Sequence, residues 1–167
     1  HIGLLGGFAI PELNRLMNAF IDGAREVNPK AKFSTGEIRS WLNQPRARRL
    51  TNRLVDQGAD IVFAGTMAGV IETAAERGIL AFGNIIHPQD LYPKTVVASA
   101  LWHMEPTVQA AIAKLRAGNF RAEDFGTLSF MRAKGSSLSP LGTFENKIPP
   151  ELLKRMRAKE ADILAGR

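Results

Sequence analysis

The 167-residue chain has no cysteine, a single tyrosine and only three histidines. Without cysteine there is no disulfide framework, no thiolate-ligated zinc or iron–sulfur cluster and no cysteine nucleophile. That absence says nothing of compartment, because large domains on either side of a membrane manage without disulfides. No stretch reaches the roughly 18 unbroken apolar residues of a membrane-spanning helix. A phosphate-binding Gly-Lys-Ser/Thr step and a nucleophile-elbow serine are also missing. Gly3-Leu4-Leu5-Gly6-Gly7 departs from the spacing of a dinucleotide-binding turn, and no acid follows where a ribose would need one. His1, His87 and His103 are too widely separated to read as a metal site. The residues therefore call for no catalytic group, metal or cofactor, and ligand binding without chemistry is the better reading. The chain opens on an apolar run directly after His1, with neither an initiator methionine nor a signal-like segment. It reads as one lobe of something longer.

Basic residues exceed acidic ones, 22 to 16, for a net charge of +6 and a pI near 10.1. Much of the excess lies at Arg46, Arg48, Arg49 and Arg53 and again at Lys154, Arg155, Arg157 and Lys159. In both places the basic residues fill polar positions between apolar ones, the pattern of a solvated helix face. No zinc-finger spacing, basic zipper or aromatic RNA-binding signature accompanies them, so no nucleic-acid partner is expected.

Short apolar runs alternate with helix-period segments. Residues 2–5, 31–34, 60–64, 79–82 and 95–101 read as strands. Between them, the stripe Leu13, Leu16, Met17, Phe20, Ile21, Ala24, Val27 marks one helix and Ala47, Leu50, Leu54, Val55 a second. Residues 70–77 and 106–117 supply two more, stopped by Gly78 and Gly118. This rhythm predicts an α/β domain, a three-layer sandwich with a mainly parallel Rossmann- or flavodoxin-like sheet. Farther on, 125–132 reads as a strand, 135–140 as a Ser/Gly loop, 141–144 as a short strand, and a last helix starts at Pro149-Pro150. No linker divides the chain. Residues 1–124 form the expected ligand-binding lobe, with 125–167 as a return segment and terminal helix of the same domain.

In such a sheet the ligand crevice lies beyond the carboxyl ends of the strands. The residues there are Gly6-Gly7-Phe8, Arg39-Ser40-Trp41, Gly65-Thr66-Met67, Asn84 through His87, and Trp102-His103. Aromatic, amide, hydroxyl and imidazole groups suit a planar polar ligand, stacked on rings and hydrogen-bonded at its rim. Two readings stand for each tryptophan. Trp41 is either a ligand platform or a plug at the sheet edge, and Trp102 either a ligand contact or a core residue continuing the fifth strand. Asp60 and Glu72 read more simply as the start of a strand and a solvated helix position.

The order of these steps resembles a known family. Ile2-Gly3-Leu4-Leu5-Gly6-Gly7-Phe8-Ala9-Ile10-Pro11 precedes Phe20-Ile21-Asp22-Gly23-Ala24-Arg25-Glu26-Val27-Asn28-Pro29. Ser40-Trp41 with Pro45, then Gln57-Gly58-Ala59-Asp60, Ala75-Glu76-Arg77-Gly78 and Tyr92-Pro93-Lys94, follow at matching intervals. Over about the first 120 residues the pattern is similar to the second lobe of the basic membrane protein (BMP) family. Those are substrate-binding lipoproteins of ABC transporters with a type I periplasmic-binding-protein fold. The resemblance implies a missing N-terminal lobe, a permease partner, a lipid anchor in the periplasm or at the cell surface, and a purine or nucleoside-like ligand held between lobes. It places Trp41 at the ring-stacking position. Gly83-Asn84-Ile85-Ile86-His87-Pro88-Gln89 lacks the two acids usual there, Ala64-Gly65-Thr66-Met67-Ala68-Gly69 replaces a Gly-Gly-Thr-Gly step, and Trp102 replaces a charged residue. A bare base or other flat heterocycle, sandwiched by aromatics, is therefore expected rather than a clamped ribose. Its expected contacts are Phe8, Trp41, Thr66, Met67, Asn84, His87 and Trp102. A sensor domain of a transcriptional regulator, with a helix-turn-helix segment ahead of residue 1, is the alternative. A nucleoside-processing enzyme is a third.

Overall fold

The computed structural model describes residues 1–66 and 69–167. They divide into two compact units, His1–Ser99 and Ala100–Arg167. The division falls inside the fifth strand.

In the first unit, β1 (Ile2–Gly6) is flanked by β2 (Phe33–Glu37) and β3 (Ile61–Ala64), both parallel to it, and β3 pairs in parallel with β4 (Leu80–Ile85). β5 (Val96–Trp102) follows β4 in the order, and its residues up to Ser99 belong to this unit. β2 lies a few residues later than its apolar content suggested. As an edge strand it is defined by register, Ile2 against Phe33 through Gly6 against Glu37, and not by burial.

Helices cover both faces, which is why β1 and β3 are apolar without alternation. α1 (Pro11–Val27) lays Phe20 against Phe63 and Phe82, with ring centroids 4.9 and 5.2 Å apart. On the opposite face Leu5, Val62, Ala64 and Ala81 form the core with Ala47 and Leu54 of α2 (Gln44–Asp56) and Val70, Ile71 and Ala74 of α3 (Val70–Glu76). The α2 cap is local: the Asn43 side chain accepts the Arg46 N–H at 3.0 Å, so the helix opens just before Pro45. The basic residues of α2 face outward, and Arg48 reaches Glu76 of α3 at 2.6 Å.

In the second unit, the Ala100–Trp102 end of β5 pairs antiparallel with β6 (Ser136–Leu138), Ala100 against Leu138 and Trp102 against Ser136. Helices α4 (Glu105–Arg116) and α5 (Pro150–Leu164) complete it. Three expectations fail in this unit. Residues 125–132 are two 3-10 turns, Gly126–Ser129 and Met131–Ala133, and not a strand. Local bonds win: the Asp124 carboxylate accepts the Gly126 N–H at 2.7 Å and the Ser129 hydroxyl donates to the Gly126 carbonyl at 2.6 Å. Gly135 backs onto this turn so closely that a Cβ there would sit 1.9 Å from the Leu128 carbonyl oxygen. The expected Ser/Gly loop holds β6. The expected strand at 141–144 is a 3-10 turn, Gly142–Phe144, because Gly142 has left-handed backbone (φ 49°).

Among described residues no helix is long and apolar enough to cross a membrane. Leu5 is fully buried between strands and the α2–α3 layer, so Leu5→Ala should destabilise the 167-residue chain by about 2–5 kcal/mol in urea unfolding. Val27, exposed at the end of the α1 stripe, should tolerate alanine within about 0.5 kcal/mol.

Candidate functional site

The segments after β2 and β3, the end of β4 and parts of α2 and α3 border a cleft of about 690 Å³, lined by Trp41, Leu42, Gln44, Pro45, Gly65, Thr66, Glu72 and Ile85. Small-molecule sites commonly span about 300–1,000 Å³, so its size suits one heterocyclic ligand.

Trp41 is placed by backbone chemistry. Past the ends of β1 and β2 the pairing continues as Ile38 N–H to Gly6 O and Ser40 N–H to Gly7 O, at 2.8 and 3.1 Å. Arg39 then turns the chain through left-handed backbone, φ 56°. The indole comes to rest on Gly7, where a Cβ would lie 2.3 Å from Trp41 Cε3; only glycine leaves room for the ring. Phe8 meets the indole edge-on, with centroids 5.2 Å apart at 65°. The Thr66 hydroxyl donates to the Trp41 carbonyl at 3.1 Å, joining the ends of β2 and β3. The ring is still 45% exposed, a held aromatic surface facing open space.

The other expected contacts fall in different places. Phe8 packs on Trp41 itself, so no ligand lies between those two rings in this arrangement. Asn84 is 2% exposed, and its Oδ1 has no hydrogen-bond partner among the described residues. His87 is built into the loop after β4: Nδ1 lies 3.3 Å from Ser99 Oγ and Nε2 3.2 Å from Gln89 Oε1, while the Gln89 amide donates to the Val96 carbonyl at 2.9 Å. Trp102 belongs to the second unit, at the end of β5. Met67 lies outside the described residues. Among those described, no cluster of His, Asp or Glu could hold a metal ion.

Glu72 is where the sequence misled. Read as a solvated helix position, it is half-buried, lines the cleft, and its Oε2 is buried with no hydrogen-bond partner among the described residues. The neighbouring guanidinium of Arg48 is spent on Glu76, one turn along the same helix, and Arg77 bonds Asp56 and Asn52. Leaving such an oxygen unsatisfied costs about 1–3 kcal/mol, and more for a charge. A signal did exist: in Val70-Ile71-Glu72-Thr73-Ala74-Ala75 every neighbour is apolar or small, and four residues of this short helix are buried. An acid inside so buried a helix has little water to face. Ile85, also on the cleft wall, is a β-branched residue at φ 76°, a strain of about 1–3 kcal/mol of the kind that gathers at functional sites.

The family model of the PnrA-like ABC transporter substrate-binding proteins, Bmp, matches residues 1–125. The chain belongs to this family. The description of that family is of substrate-binding proteins, consistent with a reading of ligand binding. A Haloferax volcanii protein that carries the name ABC transporter glucose-binding protein is 28% identical over 125 residues, covering 74% of this chain and 32% of that protein. A purine-binding protein of Brucella abortus is 34% identical over 83 residues, covering 49% of this chain and 24% of that protein. The solved solute-binding protein of an Aeropyrum pernix ABC transporter superposes with a TM-score of 0.77 at 17% identity, and a transcriptional activator of the comK gene from Bacillus halodurans with 0.75 at 20%. Each covers 99% of this chain, which spans 55% and 57% of theirs and about a third or less of the two relatives. These structures show the α/β fold of periplasmic solute-binding proteins, as expected.

Tyr92 reports on the acids near the cleft. Burial, and then the carboxylates of Glu72 and Glu76, hold its phenol above the ordinary value. An unfolded tyrosine loses its proton near pH 10. Above that, the folded chain binds more protons than the unfolded one, so stability falls as pH rises through the window up to the folded pKa. As the chain has one tyrosine, phenolate absorbance should titrate above pH 10 when folded and return to about 10 in denaturant. Removing the lesser cause by Glu76→Gln should lower the folded midpoint.

Proposed function

We propose that this chain is the ligand-binding lobe of the solute-binding component of an ABC import system, taking a purine-like or other planar heterocycle. The observation that carries this reading is the Trp41 indole, locked by Gly7, Phe8 and Thr66 yet presenting a free face to a cleft of ligand size. A flat ring stacks on such a face at little entropic cost, because the platform is already ordered. The ligand lies between this lobe and a second, N-terminal one that closes over it by a hinge motion. The purine-binding relative supports the ligand class, and the family supports a permease as partner. In this reading the receptor works outside the cytoplasmic membrane, in the periplasm or at the cell surface, held by a lipid anchor, and releases its ligand chemically unchanged.

Isothermal titration of the two-lobed protein against adenine, guanine, their nucleosides and glucose tests the reading. A purine or nucleoside should bind, and glucose should not compete. Heat with glucose alone, or with no heterocycle, would overturn the ligand class. Trp41→Ala should weaken binding by about 1–3 kcal/mol, by analogy with base–aromatic stacking elsewhere. That is roughly five- to 150-fold in Kd. An unchanged Kd in a folded variant would make Trp41 a plug.

A further inference from the structure

The cleft wall carries one group that stacking leaves unused. Glu72 Oε2 is buried, lacks a partner among the described residues, and belongs to a side chain that lines the cleft beside Trp41 and Thr66. Two cations of the α2–α3 layer are committed elsewhere, Arg48 to Glu76 at 2.6 Å and Arg77 to Asp56 at 2.8 Å. The Thr66 hydroxyl hydrogen is already given to the Trp41 carbonyl. An ionised carboxylate only accepts hydrogen bonds. The side chain on this wall therefore keeps an unsatisfied oxygen just behind the cleft surface, and a ligand whose N–H meets that carboxylate as the side chain turns outward recovers what folding left unsatisfied.

We propose that Glu72 is a specificity-determining residue that selects heterocycles bearing an exocyclic amine, accepting an N–H from that amine while the ring stacks on Trp41. The inference rests on the stacking reading of the cleft and deepens it from planar heterocycles to aminated ones. Selection arises through asymmetry. A ligand without the amine strands the carboxylate in a site it has just desolvated, and sites built around a buried polar group reject such analogues far more strongly than an apolar pocket does.

Two nucleoside pairs differ by the amine alone: adenosine and purine riboside, guanosine and inosine. In titrations of the two-lobed protein, the aminated member of at least one pair should bind tenfold or more tightly than its partner. Glu72→Ala should abolish that preference, bringing the pair within about twofold, while Trp41→Ala weakens both members together. Nucleoside binding without any preference in the wild type, or a preference that survives Glu72→Ala, overturns the proposal and leaves the stacking reading standing. Absence of binding by every nucleoside and by adenine and guanine overturns the stacking reading and this proposal with it. Glu72→Gln separates selection from a role in folding. Its unliganded melting temperature should stay within about 3 °C of the wild type. A much larger fall with the preference intact assigns Glu72 to the fold and overturns the proposal.

Discussion

The contact between the Trp41 indole and the bare backbone of Gly7 sets the geometry of the cleft. It joins two strand ends that are far apart in sequence, since Gly7 follows β1 and Trp41 follows β2. Parallel pairing of Leu5 with Gly36 and of Gly6 with Glu37 brings those ends level. The Thr66 hydroxyl, just past β3, then fixes the Trp41 carbonyl. The platform is thus held from the first three strands at once, and each hold depends on the sheet register. A slip of one residue would turn the buried positions of β1 outward and carry Gly7 away from the ring.

Around that platform, local rules are broken in one region. Arg39 and Ile85 adopt left-handed backbone, and among the described residues Glu72 Oε2 and Asn84 Oδ1 are buried without hydrogen-bond partners. The rest of the first unit is ordinary: an apolar core in which the buried Thr51 and Thr73 hydroxyls donate to helix carbonyls, a capped α2 and exposed ion pairs on helices. Within the first unit these exceptions gather at the strand ends and in α3, the kind of clustering that accompanies functional sites, while Lys134 (φ 62°) is a separate case in the second unit.

How much of this could be read in advance follows the range of the forces. The β/α rhythm, the helix stripes and the doubly covered strands are written in periodicity, so the first unit's architecture was legible apart from shifts of a few residues. Trp41 and Thr66 were legible as strand-end residues because a parallel sheet puts every such end on one side. The 3-10 turns after Phe125 were not, because Asp124 and Ser129 decide them by side-chain bonds to the backbone that periodicity does not see. Glu72 was missed for a related reason. Its charge reads as solvent exposure unless the burial of Val70, Ile71, Thr73 and Ala74 around it is known, and that depends on α2 and β3, residues away in sequence but not in space.

The fold alone leaves the ligand open, since one family and one architecture include relatives named for glucose and for purines and a neighbour named as a transcriptional activator. The decision falls to the site. A sugar also stacks on an indole, but it is ringed with hydroxyls that each want a partner, and sugar sites meet them with many polar groups. On this lobe's wall, among the described residues, the polar side chains are few: Gln44, Thr66 and Glu72 among Leu42, Pro45 and Ile85. Of these, the Thr66 hydroxyl hydrogen is already engaged. An apolar wall with one aromatic face and one unsatisfied acceptor matches a ligand that is flat, mostly apolar across its faces and polar at one edge. That description is the ground for proposing an aminated heterocycle in place of a sugar.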